Sequence, residues 1–422
     1  MNTTVESVTT FPVRVPYREI PGRHMPRELP HWRYFEVVRV ELRSGHAGWG
    51  ETMLFYTWGR TEDEDIERAR GANAADLMWD DSLGPGLQMA LFDAVGRTLD
   101  VPVHDLLGDR VHDRAPLSWW CIEMDAEDWL AECRLAMDRG YTNAKLKARP
   151  WFDLVGIVDT LCAELPDWFE IDLDFNDTLL TAEEGLPILE ELERHDQVSH
   201  FETPIPQGDV EGNRHLREAI RTPIAHHYGR PDALTAVREE VCDGFILTGG
   251  ADQLRDEGAV AAMANMPLWL QLVGTGITAA FSLHLHSVLE SSEWPAINCH
   301  QMYVDDLLED RIEVEDGTAP VPDGPGLGHR IDRSALDRFA VERPASQPYP
   351  ARLTEVAWQG GPVIYYTGND DQLLNHAREG GMPYFKPDVT TRFVPDDGSD
   401  AWQDVYERAV EEPVVEEESL FD

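Results

Sequence analysis

Three lysines occur in the 422 residues, and two of them, Lys145 and Lys147, are separated by a single leucine. Residues at i and i+2 of a β-strand point to the same side, so a strand ending here would present two ammonium groups together. Arginine carries nearly all the remaining positive charge and would serve a salt-bridged rim equally well. Only lysine titrates down far enough to act as a base or a Schiff-base nucleophile. Further along, Asp172-Leu-Asp174-Phe-Asn176 and Phe201-Glu202-Thr-Pro204 end two more apolar runs. Asp174 and Glu202 offer the hard oxygen donors that Mg²⁺ takes, with Asn176 placed to ligate or to hydrogen-bond behind them. His226-His227-Tyr228 closes the next run, and because neighbours on a strand face opposite ways, one of its two imidazoles at most reaches the same centre. Gln271 and Thr275, at the end of a later run, are candidates for binding polar groups of a substrate, and His300 for a second acid.

These residues need elements that bring them to one place. From residue 114 onward, short apolar runs alternate with helical periods of twelve or more residues, the pattern of βα units and a parallel sheet. Strands are expected at 117–121, 143–147, 170–175, 199–202, 224–227, 244–247, 268–272 and about 296–299. Helices are expected at 126–139, 153–164, 181–195, 210–219, 232–241, 253–264 and 278–289. Eight strands so separated favour a closed TIM-type (β/α) barrel, whose active site gathers at the C-terminal strand ends. His284 and His286 fall inside an apolar helical period and read as core.

Residues 5–52 alternate and are rich in β-branched and aromatic side chains, which predicts antiparallel strands, interrupted by a Pro/Gly/Arg/His-rich loop at 17–32. Helical periods follow at 63–75 and 86–99. The chain thus divides into an α+β unit at 1–113, a barrel at 114–330 and a mixed segment at 331–422. The last of these ends in Glu411-Glu-Pro-Val-Val-Glu-Glu-Glu, an acidic tail expected to fray.

Composition narrows the partners. A net charge of −44 repels nucleic acid and anionic membranes, while 13 Trp, 14 Phe and 11 Tyr argue for a folded core rather than acidic disorder. The combination suits a halophilic protein working in molar salt, where the Debye length falls to ~3 Å. Five scattered cysteines without metal spacing, and the absence of a leader-like or membrane-spanning run, lead to the expectation of a reduced, cytoplasmic protein.

Taken in order, Lys145-x-Lys147, Asp174-x-Asn176, Glu202-x-Pro204, Gly249-Gly250 and Pro322-Asp-Gly-Pro-Gly-Leu-Gly328 resemble the mandelate racemase and muconate lactonizing enzyme branch of the enolase superfamily. Gly48-Trp-Gly-Glu51, Phe92-Asp-Ala-Val-Gly96, Pro102 and Leu106-Leu-Gly108 resemble that family's capping domain, so the likeness covers most of the chain. It implies an α+β cap at 1–113 over a modified barrel, with 331–422 completing the cap. It also implies a bound Mg²⁺ holding a substrate carboxylate, Lys147 as base with Lys145 lowering its pKa, and assembly into a homo-oligomer. The metal and lysine would place positive charge where an enolate develops. From the cap, Arg23 and His24 on one loop and Tyr56 and Trp58 on another are the candidates to close the site over a small carboxylate substrate.

Two departures shape the expectation. Where the family carries a third acidic ligand, this chain has His227, which would favour Mn²⁺ or another divalent ion softer than Mg²⁺. Where the family places an Asp or Lys five residues before the Gly-Gly pair, this chain has Gly244, so the opposite-face acid or base of a racemase is absent. The expected activity is therefore a lyase, dehydrating a hydroxy or sugar acid. The alternatives are a Schiff-base aldolase using Lys147 or Lys145, and a non-catalytic relative with a degenerate metal site.

Overall fold

The structure is a computed structural model that describes residues 2–56, 59–369 and 371–421. Its N-terminal unit is a three-stranded antiparallel sheet of β1 (Val5–Arg14), β2 (Tyr34–Leu42) and β3 (Ala47–Met53), with α1 (Glu19–His24) in the loop between the first two. Helices α2 (Asp63–Ala69), α3 (Ala74–Leu77), α4 (Pro85–Leu99) and α5 (His104–Leu107) follow. The helix expected over 63–75 is broken, with Gly71 at φ +75°, a conformation that ends helices. Packing of α4 on the sheet explains Gly48 and Gly50. A Cβ at Gly48 would lie 2.2 Å from the Ala90 carbonyl, and one at Gly50 2.2 Å from the Gly86 carbonyl.

After β4 (Arg114–Pro116) come the alternating strands and helices: β5 (Trp119–Cys121), α6 (Ala126–Asp138), β6 (Asn143–Lys147), α7 (Leu154–Glu164), β7 (Glu170–Asp174), α8 (Ala182–Leu192), β8 (Val198–Glu202), α9 (Val210–Ala219), β9 (Ile224–His227), α10 (Ala233–Arg238), β10 (Gly244–Leu247), α11 (Ala251–Met263), β11 (Leu268–Leu270) and α12 (Gly276–Val288). The seven strands pair in parallel in chain order. The eighth position is a short segment in which Ala296 pairs with Leu117 and Ile297 with Gln271. Its amides donate to Pro116 O and Leu270 O, both at 2.8 Å, and these bonds close the barrel.

Polar motif residues join the cap to the barrel. Glu51 accepts from the amides of Thr275 (2.6 Å) and Thr278 (2.9 Å) and from the Thr275 hydroxyl (2.6 Å), satisfying N-terminal amides of α12. Asp93 accepts from the amides of Trp49 (2.9 Å) and Leu327 (2.7 Å) and from Arg97 (2.8 Å). Gly326, at φ +69°, passes so close that a Cβ there would sit 2.0 Å from Asp93 Oδ1.

The C-terminal segment departs from expectation. After β12 (Thr318–Pro320), which pairs with β4, and α13 (Arg333–Phe339), Ala340 touches the cap by pairing with Val13. The chain then builds a sheet of its own, ordered β15 (Val389–Val394), β13 (Leu353–Trp358), β14 (Val363–Tyr366), β16 (Val414–Glu416), with α14 (Gln372–Arg378) and α15 (Asp400–Glu411). Alternation buries both faces: Val356, Trp358, Ile364 and Tyr366 pack with Trp151 of the barrel and with Leu373 and Ala377 of α14, while Leu353, Val363 and Tyr365 pack with Trp402, Val405 and Ala409 of α15. The acidic end expected to fray therefore supplies the edge strand β16. Among the described residues, no helix is long and apolar enough to cross a membrane.

Candidate active site

Parallel register sets the central residues side by side: Lys147 pairs with Asp174 across β6 and β7, and Asp174 with Glu202 across β7 and β8. Lys145 is fully buried with its ammonium between the two carboxylates, in contact with Glu202 and 3.3 Å from Asp174 Oδ2. It also donates to Gln271 Oε1 at 3.0 Å and lies 5.6 Å from the Trp269 ring centre. Lys147, one layer higher, donates to Asp174 Oδ2 at 2.5 Å and to Asn176 Oδ1 at 2.8 Å. The backbone turns sharply here, with Asn176 at φ +48° and Asp177 at φ +69°, a region that Asn and Asp tolerate. Thr203, directly after Glu202, is held at φ +44°, which strains a β-branched residue.

The two lysines differ in electrostatics. Burial works against the Lys145 charge, but Glu202 and Asp174 outweigh it and raise its pKa above the ordinary value, so it is a fixed cation. For Lys147, burial, aided by the charges of Lys145 and Arg149, lowers the pKa despite Asp174. Burial also opposes ionisation of Asp174, yet Lys147 and Lys145 hold its carboxyl well below the usual range. Lys147 lines a cavity of 230 Å³ that adjoins one of 380 Å³, the two sharing Tyr56, Asn176, His227, Gln271 and Arg378. Burial pushes the Tyr56 hydroxyl up to about 12, so it stays protonated.

A second buried network supports the rim. Arg149 donates to Glu28 Oε1 (3.1 Å), Asn176 Oδ1 (2.9 Å) and Asp174 O (3.2 Å), and Arg27 donates to Glu123 Oε1 at 2.7 Å. Burial and the neighbouring Glu28 charge drive the Glu123 carboxyl well above the usual carboxylate range.

Residues 128–335 match the family model for the enolase C-terminal domain-like family. The chain belongs to the enolase superfamily. Among its curated relatives, an N-succinylamino acid racemase of Thermus thermophilus is 27% identical over 60% of this chain and 70% of its own. An arabinonate dehydratase of Saccharolobus solfataricus is 24% identical over 60% and 71%. The crystal structure of a muconate lactonizing enzyme from Pseudomonas fluorescens complexed with muconolactone superposes with a TM-score of 0.69 at 23% identity, covering 81% of this chain and 100% of that one. That likeness is one of fold.

The superfamily uses a divalent metal, typically Mg²⁺, and the donor chemistry of this member fits one. Asp174 and Glu202 are buried carboxylates on adjacent strands, with Glu202 Oε2 already in contact with the Lys145 ammonium, and a pair of hard oxygen donors of this kind suits a divalent ion. Asp174 lies alongside, and His227 Nε2 is 3.2 Å from Glu202 Oε1. The three approach in pairs, with Lys145 between the carboxylates. Another group, His24, Asp125 and Asp128, has its donor atoms mutually within 4.8 Å. It is otherwise engaged: Asp128 is bonded to His24 (2.6 Å) and Arg23 (2.7 Å), and Asp125 caps α6.

Of the residues singled out from the sequence, this enolase-superfamily member brings Lys145, Lys147, Asp174, Asn176, Glu202, His227, Gln271 and Tyr56 together, and several others are elsewhere. Trp58 lies outside the described residues. Arg23 and His24 hold the cap to α6 through Asp128, and it is Glu28 and Leu29 of the same loop that line the cavity. His226 points to the other side of β9, buried with neither ring nitrogen hydrogen-bonded and its pKa lowered to about 3 by burial. Thr275 is committed to Glu51. Cys299, at φ +58°, turns the chain so that Cys299 faces the site while His300 faces a separate 750 Å³ cavity beside Tyr141. Gly244 begins β10, where a Cβ would lie 2.3 Å from the Trp294 ring. The residues of that strand end that reach the cavity are Ile246 and Thr248, so its lack of a titratable group persists with different residues. Sequence reasoning missed Arg149, although Lys145-x-Lys147-x-Arg149 continues the two-residue period. It also missed Arg378, which no local pattern connects to the barrel.

Proposed function

We propose that the protein abstracts a proton from the carbon next to a carboxylate with Lys147 as base, and that the reaction is the dehydration of a hydroxy acid, of the sugar-acid type. The observation that carries this is the asymmetry of the cavity: Lys147 opens on it with a lowered pKa, while the opposing strand end offers Ile246 and Thr248. One base suits elimination better than racemisation, which needs an acid or base on each face. Asp174 and Glu202, with His227, would hold the divalent ion, which when bound supplies positive charge for the substrate carboxylate and its enolate. Lys145 remains charged beneath and adds to that field. The hydroxyl lost from the adjacent carbon leaves as water, and Tyr56, protonated and lining the cavity, is positioned to supply the proton. The enol then becomes a 2-keto acid.

The substrate is a small carboxylate, consistent with relatives whose names describe a dehydratase and a racemase of small acids. The test is a panel of polyhydroxy acids in molar KCl with Mg²⁺ or Mn²⁺, followed by keto-acid formation and by exchange of the α-proton with D₂O. Lys147→Ala should reduce exchange by ~10²–10⁴-fold. Activity that survives EDTA but is lost on borohydride treatment would replace this reading with a Schiff-base one.

A further inference from the structure

The match to the family model ends at residue 335, and the muconate lactonizing enzyme is covered in full using 81% of this chain. The C-terminal sheet unit lies beyond that matched segment, yet it reaches the site. Tyr384 donates to Leu179 O at 3.2 Å, Phe385 meets Phe175 edge-on with ring centres 6.0 Å apart, and Thr391 donates to Trp151 O. Each contact holds a loop that follows β6 or β7. At the end of α14, Arg378 donates through Nε to Asn176 O at 2.8 Å and borders both cavities. It also forms a long ion pair with Asp177, Nε to Oδ2 at 3.9 Å. Its terminal amino groups make no hydrogen bond among the described residues. Arg230, after β9, borders the same 380 Å³ cavity and enters no ion pair among the described residues. Asp177 and Glu257 line that cavity too, and Asp177 sits within the field of both arginines, but the terminal amino groups of Arg378 and Arg230 donate no hydrogen bond among the described residues, and the guanidinium fork matches a carboxylate or phosphate.

We propose that Arg378 and Arg230 bind a second anionic group of the substrate, distal to the carboxylate handled at Lys147, so that the preferred substrates are dianionic acids ending in a carboxylate or a phosphate. The C-terminal unit thereby becomes a specificity wall of the active site. The substrate class rests on the proposed proton-abstraction reading; the anion clamp has its own readout in binding.

The test is calorimetric titration of the full chain in the presence of Mg²⁺ with gluconate, glucarate and 6-phosphogluconate, which share a polyhydroxy-acid end and differ at the far end. The wild type should bind the better of the two dianions at least about tenfold more tightly than gluconate, and which one wins identifies the distal group as carboxylate or phosphate. Arg378→Gln should weaken the preferred dianion at least about tenfold more than gluconate and so abolish that preference, Arg378→Lys should restore part of it, and Arg230→Gln, on an exposed side chain, should reduce it without loss of fold. Equal affinity for all three acids in the wild type, or an equal loss for gluconate in Arg378→Gln, would overturn the clamp. If the dianion preference holds while the wild type exchanges no α-proton in D₂O, the clamp stands and the proton-abstraction reading falls.

Discussion

Replacing Lys145 by methionine tests the electrostatic design of the site directly. Lys145 is fully buried and touches both Glu202 and Asp174. The substitution roughly keeps its volume but leaves two adjacent buried carboxylates with Lys147 as the one remaining lysine beside them. Removing one partner of a buried ion pair costs about 3–5 kcal/mol, because the other charge stays desolvated. Molar salt relieves little of this, since buried charges are poorly screened. At roughly 2 °C per kcal/mol, the melting midpoint should fall by about 6–10 °C. The sign with pH follows from the carboxylates. In the wild type the depressed pKa of Asp174 contributes stability above the unfolded value of about 3.9, and that stability is lost as pH falls through the folded value. In the variant, one member of the crowded pair is easier to protonate, so the deficit should be larger near pH 8 than near pH 5. A divalent cation should then take over the role of Lys145. Mn²⁺ at a hundred times its dissociation constant restores about 2.7 kcal/mol, and it should bind the variant more tightly than the wild type because it no longer competes with the ammonium. Thermal melts at both pH values, with and without Mn²⁺ or Mg²⁺, provide the measurement. A variant as stable as wild type at pH 8, with no response to either ion, would refute both the pairing energetics and the assignment of Asp174 and Glu202 as metal-holding residues.

Two other outcomes follow from the same structure. His227→Ala should weaken Mn²⁺ binding more than Mg²⁺ binding in calorimetric titrations, because imidazole contributes more to the softer ion; equal losses would remove the ring from the metal's ligands. His200, hydrogen-bonded to Asp172 at 2.8 Å, is disfavoured as a cation by burial, but Asp172 outweighs this and raises its pKa above 6.5. Its stabilisation is therefore complete below about pH 6.5 and lost as pH rises through the folded value, so Asp172→Asn should flatten the wild-type decline in melting temperature between pH 6.5 and 8.

The sequence was most informative where local periodicity and function coincide. A two-residue period was enough to place Lys145 and Lys147 on one face, to separate His226 from His227, and to locate strands such as 143–147, 224–227 and 244–247 with the bounds the structure has. The same rule carried through the βα alternation, since each strand's pattern is complete within a few residues. It failed wherever a residue's direction depended on a bend or on a partner far away. His300 is turned from the site by the left-handed conformation of Cys299. Arg23, His24 and Thr275 are occupied by Asp128 and Glu51, acids from other elements, which no spacing reveals.

By itself the sequence determined the barrel, the lysine pair and the two carboxylates, because strand alternation and βα rhythm are short-range properties. Tertiary structure alone decided which lysine meets the cavity, since the two ammonium groups differ only in depth and in the charges packed around them. It also decided that the C-terminal residues build a sheet of their own: the strands of that sheet pair across long intervals of chain, and both of its faces find apolar partners, Trp151 and α14 on one side and α15 on the other. That packing brings Arg378 beside Asn176, more than two hundred residues away in the chain.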